Sequence, residues 1–279
     1  MYGELVMFSH TLFSIPFGII GMLIAANGFP PVRTTAWILV ALVSARTAAN
    51  AMNRLVDRNI DAKNPRTADR HMPRGLAKTY EVVLLILACL LLLTISAFAL
   101  GPVCVVLLPI PLVMFFIYSY SKRFTWACHI ILGAACGCAP LGAWIATTGR
   151  IFDPIPFLLW LAVTLWVAGF DIIYGAQDAA FDRDHDLHSI PADFGIKKGL
   201  VLSAVFHSVA AALLVLIGVL AGLGVPYYIG TAIVTALFAC EHMLVSPADL
   251  KRVTIASYGV NQIVSTVILI SAGIDILIK

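Results

Sequence analysis

Charge is what this sequence has least of. Only 12% of its 279 residues are Asp, Glu, Lys or Arg, while 61% are hydrophobic and the mean hydropathy is +0.96. A soluble domain carries about twice that charged fraction. A water-surrounded globule is therefore excluded, and a polytopic membrane protein is expected. Paired cysteines are also lacking. Cys89, Cys104, Cys128, Cys136, Cys138 and Cys240 all lie in or beside apolar runs, and none forms a C-x-x-C. They read as small packing residues, which excludes a disulfide framework and a zinc site. The first apolar run begins after Glu4 with no basic stretch before it, so no cleavable signal peptide is expected. The net charge of +3 says little by itself, and no nucleic-acid partner is expected.

Long apolar runs are abundant. A bilayer crossing takes about 20 residues, and nine stretches qualify: 7–26, 34–55, 81–100, 103–120, 126–147, 155–176, 200–221, 226–245 and 255–277. Pro30-Pro31, Gly101-Pro102, Pro154 with Pro156, and Gly224 with Pro226 mark the breaks. Almost no loop remains between the third and fourth stretches, which implies a tight helical hairpin. The expected fold is all-α: one domain over 1–279, with nine transmembrane helices bundled around a central cavity.

The loops divide by charge. Arg54, Arg58, Lys63, Arg66, Arg70, Arg74 and Lys78 follow the second stretch, Lys122 and Arg123 the fourth, Arg183, Lys197 and Lys198 the sixth, and Lys251 and Arg252 the eighth. The other side has Arg33, Arg150 and Lys279. Cytoplasmic loops hold the excess of Lys and Arg, so the N-terminus is expected in the cytoplasm.

Two stretches end in the same pattern. N-R-L-V-D-R-N-I-D places Asn53, Asp57 and Asp61 four apart, and D-I-I-Y-G-A-Q-D-A-A-F-D does the same with Tyr174, Asp178 and Asp182. Asp171 stands one turn before the second ladder and Asp186 one turn after it. Residues four apart share a helix face, so each ladder presents its carboxylates in one stripe. Such stripes repel, and at a helix C-terminus they oppose the macrodipole. A divalent cation is the obvious compensation. Mg²⁺ favours one or two carboxylates plus substrate phosphate oxygens, so two facing stripes suit a metal-borne diphosphate. Solvated residues just past helix ends are the plainer alternative.

The constant offset between the ladders suggests two related four-helix units, about 1–120 and 121–245, plus a ninth helix. Such halves would face the stripes across one cavity, a usual place for a site in a bundle. Residues 61–75 add cations just beyond the first ladder, and a guanidinium fork suits phosphate oxygens. Lys78 and Arg74 have a topogenic explanation; Arg54, Arg58 and Arg66 sit in or near the motif. Lys122 and Arg123 are placed at the start of the fifth helix. Gly133, Gly137 and Gly142 read as close-packing positions. His10, His129, His207 and His242 read as satisfied core histidines, although His129 could be a ligand. Arg46 lies inside the second helix, seven residues before Asn53. A charge inside the membrane marks a function by default; pairing with Glu241 is the alternative.

N-R-L-V-D-R-N-I-D, N-P-R-T-A-D-R, Y-S-Y-S-K-R-F-T and D-I-I-Y-G-A-Q-D-A-A-F-D, in that order, resemble the UbiA superfamily of intramembrane aromatic prenyltransferases. The likeness runs from F-S-H-T-L-F-S-I-P-F through the last apolar stretch. It is greatest to the 4-hydroxybenzoate polyprenyltransferases, with A-R-T-A-A-N-A-M-N-R and D-L-H-S-I-P-A-D-F-G suggesting also their relatives of the futalosine route to menaquinone. The resemblance implies a central cavity that opens sideways to lipid and admits a polyprenyl diphosphate tail, with Mg²⁺ as cofactor. It implies metal-binding roles for Asp57, Asp61, Asp178 and Asp182, and diphosphate-binding roles for Asn53, Arg58, Arg66, Lys122 and Arg123. Arg46 would hold the carboxylate of an aromatic acid acceptor. The expected reaction passes through an allylic cation in a dry cavity. Tyr174, an aspartate of the second ladder or the departing diphosphate would take the ring proton.

Two other classes call for patterns that differ from this one. A transporter predicts charges at mid-membrane and broken helices, whereas nearly all acids here sit at one interface. A lipid phosphotransferase predicts a D-x-x-D-G-x-x-A-R pattern, which is absent. Within the family the other acceptors are 1,4-dihydroxy-6-naphthoate, glycerol-linked lipids, haem and homogentisate-type rings. Chain length of the donor and oligomeric state stay open.

Overall fold

The structure, a computed structural model, describes the backbone of residues 8–278 and the side chains of residues 15–278. His10, Glu4 and Lys279 lie outside the described side chains. Among the described residues the fold is all helical: α1 Phe8–Ala26, α2 Val32–Asp61, α3 Thr79–Leu100, α4 Pro102–Leu107, α5 Pro109–Ser121, α6 Cys128–Thr148, α7 Pro154–Gly175, α8 Ala179–Asp184, α9 Ile190–Phe194, α10 Ile196–Leu220, α11 Val225–Met243 and α12 Asn261–Leu277. A π-helical segment, Ile255–Val260, leads into α12. Among the described residues seven segments are long and apolar enough to cross a membrane: α2, α3, α4 with α5, α6, α7 with its extension to Asp184, α10, and the π segment with α12. Of α1, which spans 19 residues, the described side chains form the apolar stretch Ile15–Ala26, and α11 is not among the seven.

Proline sets several starts. Pro102, Pro109, Pro154 and Pro226 each occupy the first turn of a helix, where the missing N–H is no loss. Pro109 also divides the expected fourth span into α4 and α5. Asp153 caps α7 by accepting from the Ile155 N–H at 3.1 Å.

The helices close into a ring. α1 touches α2, α6 and α12; α2 packs on α3 and α5; α5 on α6; α6 on α7; α7 on α10; α10 on α11; and α11 on α12. Lipid supplies no hydrophobic drive between helices, so close packing and polar ties hold them together. Gly133 and Gly137 let α6 lie on α7, since a Cβ at either would strike the backbone of Thr164 or Trp160. Gly142, expected to do the same, faces open space instead. Ser203 Oγ donates to the Gly169 carbonyl at 2.7 Å, tying α10 to α7. Large apolar side chains such as Leu84, Leu91, Val106 and Phe116 point outward, as a lipid-facing surface requires.

The fully buried Glu241 accepts from Asn261 Nδ2 at 3.1 Å and lies 3.6 Å from His207 Nδ1. His207, 1% exposed, is therefore a core histidine, and the half-buried His242 reaches its Nδ1 at 3.1 Å. Glu241 is not the partner of Arg46: Arg46 Nη1 instead donates to Cys136 Sγ at 3.2 Å.

Candidate functional site

The C-terminal ends of α2, α5 and α7 and the loops after them meet at one end of the bundle. The first ladder lies on the last turns of α2. Asn53 Nδ2 donates to Asp57 Oδ2 at 2.9 Å. The other oxygen of Asp57 accepts from Arg123 Nη2 at 2.9 Å. Asp61 Oδ1 accepts from Arg70 Nη1 at 2.7 Å, and Arg54 Nη1 stands 3.8 Å from Asp61 Oδ2.

The chain then coils back over this end in consecutive turns. Asn64 N–H bonds the Ile60 carbonyl at 3.2 Å, and the Arg66 N–H bonds Asn64 Oδ1 at 3.0 Å. An Asx turn of this kind fixes the local backbone and sends Arg66 across to the second ladder. There Arg66 Nε and Nη2 grip the two oxygens of Asp178 at 2.8 and 2.5 Å, and Asn64 Nδ2 adds a bond at 3.0 Å. Arg66 also donates to the Tyr174 hydroxyl, and its guanidinium lies 4.7 Å from the centre of the Tyr174 ring.

The second ladder does not ride one straight helix. α7 ends at Gly175, a 3₁₀ turn covers Ala176–Asp178, and α8 begins at Ala179. Asp182 still reaches the same space, where its Oδ2 accepts from Ser189 Oγ at 3.0 Å. Ser189 in turn caps α9. Asp186 falls outside the stripe: it is exposed and has a positive φ of 54°.

Asn53, Asp57, Asp61, Arg66, Lys122, Tyr174, Asp178, Asp182 and Arg46 all line one cavity of about 170 Å³. Arg58 does not; it is exposed and turns back to the Leu55 carbonyl at 3.4 Å. Arg123 reaches the site through its bond to Asp57. Lys122 sits at the C-cap of α5 rather than at the start of the next helix. Burial alone would lower the Lys122 pKa, but Asp182 first, then Cys128, Asp171 and Asp178, hold it above its ordinary value. Burial acts on Arg66 in the same sense, and its bond to Asp178 together with Tyr174 raises it overall. Both groups stay cationic and face the space between the ladders.

The donor set fits a hard divalent ion. Asp61, Asp178 and Asp182 are only 6%, 5% and 2% exposed, and buried carboxylates demand neutralisation. Asp61 Oδ2 is buried with no hydrogen bond. Among the described residues no three Asp, Glu, His or Cys side chains gather closely enough to hold an ion alone. Oxygens of a bound diphosphate would complete the shell, the usual arrangement for Mg²⁺.

Deeper in the bundle a second chamber of about 210 Å³ opens, walled mainly by Ile38, Leu42, Leu93, Leu107, Phe115 and Ala146. Arg46, Asn50, Tyr118, Leu132 and Cys136 border both spaces. Arg46 Nε is buried there without a hydrogen-bond partner. Sequence reasoning assigned no role to Asn64, Thr67, Tyr118 or Tyr258, all of which line the cavity. Local spacing gives no signal for them, although Asn64 stands in the same segment as Arg66. His129 is buried and bonded to Asp171 at 2.7 Å, so it is a partnered core histidine that also borders the cavity.

Residues 14–262 match the UbiA prenyltransferase family. The chain is 31% identical over 233 residues to a 4-hydroxybenzoate octaprenyltransferase of Alkalilimnicola ehrlichii, covering 81% of this chain and 76% of that protein. It is 30% identical over 252 residues to the enzyme of the same name from Vibrio atlanticus, covering 90% and 83%. The apo structure of a UbiA homologue from Aeropyrum pernix K1 superposes with a TM-score of 0.88 at 32% identity, covering 97% of this chain and 98% of that one. The fold is shared more distantly with an Archaeoglobus fulgidus UbiA homologue solved with GPP and Mg²⁺, at a TM-score of 0.70 and 17% identity over 99% of each chain.

Proposed function

The chain belongs to the UbiA prenyltransferase family, and we propose that it transfers a polyprenyl group from a polyprenyl diphosphate to an aromatic acid of the 4-hydroxybenzoate type. The observation that carries this reading is the two-part cavity. Carboxylates and cations crowd its mouth, an apolar chamber lies beneath, and a single arginine, Arg46, lies among the residues at the seam. The names of the curated relatives support the same acceptor class.

Asp57, Asp61, Asp178 and Asp182 would hold Mg²⁺. When bound, the ion neutralises charge on the leaving diphosphate. Lys122, Arg66 and Asn53 bind the diphosphate oxygens, and Arg123 keeps Asp57 in place. These preorganised charges act where the leaving group develops its own. The apolar walls exclude water that would capture the allylic cation. Arg46 binds the acceptor carboxylate through its fork. All nine helical stretches are read as crossing the membrane, with the site and the N-terminus on the cytoplasmic side, where loop cations concentrate.

The test is a membrane assay with one labelled polyprenyl diphosphate and a panel of aromatic acids, including 4-hydroxybenzoate and 1,4-dihydroxy-6-naphthoate. A prenylated 4-hydroxybenzoate is the expected product mass. A prenylated naphthoate would replace the acceptor, and donor consumption with no ring-prenylated product would overturn the reading.

A further inference from the structure

Ring prenylation must end with loss of a ring proton. Five aspartates line the cavity, and four belong to the ladders. The fifth, Asp171, lies on α7 seven residues before Asp178, about 10 Å deeper along the helix axis. Its side chain is 24% exposed to the cavity, while its partner His129 is 1% exposed. His129 Nδ1 stands 2.7 Å from Asp171 Oδ2, and His129 Nε2 is buried with no hydrogen bond. The imidazole is thus anchored mainly through the carboxylate. Gly175 makes the room, since a Cβ there would come within 2.9 Å of the His129 ring.

The charged and titratable groups around Asp171 come from three further elements. Tyr118 from α5, Lys122 after it, and Tyr258 from the π segment all lie within its electrostatic reach. Arg46 acts on the same Tyr118. Arg46, a cation fit for the acceptor's carboxylate, and Asp171, an oxygen fit for its proton, thus line one cavity with Tyr118.

Resting on the aromatic-prenylation reading above, we propose that Asp171, oriented by His129, is the base that takes the ring proton. The allylic C–O bond breaks and its electron pair leaves with the diphosphate. A ring carbon beside the hydroxyl donates its π electrons to the freed allylic carbon. The C–H pair returns to the ring, and the proton passes to the Asp171 carboxylate. His129 is a positioning residue: it holds the carboxylate and does not touch the ring.

The experiment uses acceptor carrying deuterium at the ring carbon that is prenylated. Asp171→Asn lowers kcat about a hundredfold or more, the range for loss of a general base, with acceptor KM little changed. In that variant proton loss limits the rate, so a primary isotope effect appears that is absent or smaller in the unaltered protein. His129→Gln gives a smaller loss than Asp171→Asn, with the isotope effect again raised. If Asp171→Asn does not accumulate in membranes, the His129→Gln isotope effect decides alone. Folded variants with unaltered kcat, or slower ones with no change in isotope effect, would overturn the assignment. An unaltered protein that forms no ring-prenylated product overturns the aromatic reading instead, so the two failures are distinct.

Discussion

On α2, Asn53, Asp57 and Asp61 ride an unbroken helix to its last residue. The matching Tyr174, Asp178 and Asp182 cross a 3₁₀ break. Their partners differ as well. Both aspartates of the first ladder pair with arginines, Arg123 and Arg70. In the second, only Asp178 does so, through Arg66, while Asp182 bonds a serine and faces Lys122. Seven residues before Asn53 stands Arg46; seven before Tyr174 stands Val167, which lines the same cavity. Equal spacing therefore builds unequal walls. At that position one wall carries a cation and the other a valine. The constant offset of the ladders underlies our proposal of two related four-helix units plus a ninth helix, and their divergence fits two substrates entering one cavity.

Metal removal strikes both walls together and has the largest expected effect. A bound ion contributes several kcal/mol of charge stabilisation, so excess EDTA should reduce turnover at least roughly a hundredfold, with recovery on adding Mg²⁺. Unchanged turnover in EDTA would break the metal role of both ladders.

Lys122 comes next, because it faces the wall with fewer arginines. A charge-assisted contact contributes about 1.5–3 kcal/mol, so Lys122→Ala should weaken transfer roughly tenfold or more with normal membrane insertion. Unaltered donor affinity and rate would return Lys122 to a purely topogenic role.

Arg46 tests the asymmetry at depth. Arg46→Ala should raise acceptor KM by about tenfold while donor binding stays nearly intact, the pattern of lost ground-state binding. Arg46→Lys should restore little, lacking the bidentate fork. A folded Arg46→Ala protein with unchanged acceptor KM removes the acceptor role.

The smallest effect belongs to Arg58, which points away from the cavity. Exposed ion pairs and surface cations contribute little, so Arg58→Ala should change transfer by less than about twofold. A larger loss, measured as donor affinity, would mean that the end of α2 rearranges when the diphosphate binds.

Much was legible in the sequence. Scarce charge and long apolar runs required membrane helices, because lipid satisfies no backbone polar group and helices satisfy their own. The four-residue spacing put each ladder on one helix face, and its place at the end of an even-numbered stretch put both at one end. An intramembrane arginine announced itself by its cost. What the sequence left unread were contacts that no local period encodes. Asp57 and Arg123 are 66 residues apart, and Arg66 and Asp178 are 112 apart. Such pairs exist only because α2, α5 and α7 end at the same level of the ring. The 3₁₀ break was hidden because Asp178 and Asp182 stay on the cavity side across it. The His129–Asp171 pair was hidden because each residue alone reads as core or as part of a ladder. The sequence by itself thus determined that the fold is built of apolar helices and that each ladder lies on one helix face, since these follow from 3.6-residue periodicity and the energy of placing charge in lipid. The tertiary structure decided which charge meets which. Pairing over such separations is set by how the helices pack around the cavity, and the chain carries no mark of it until they do.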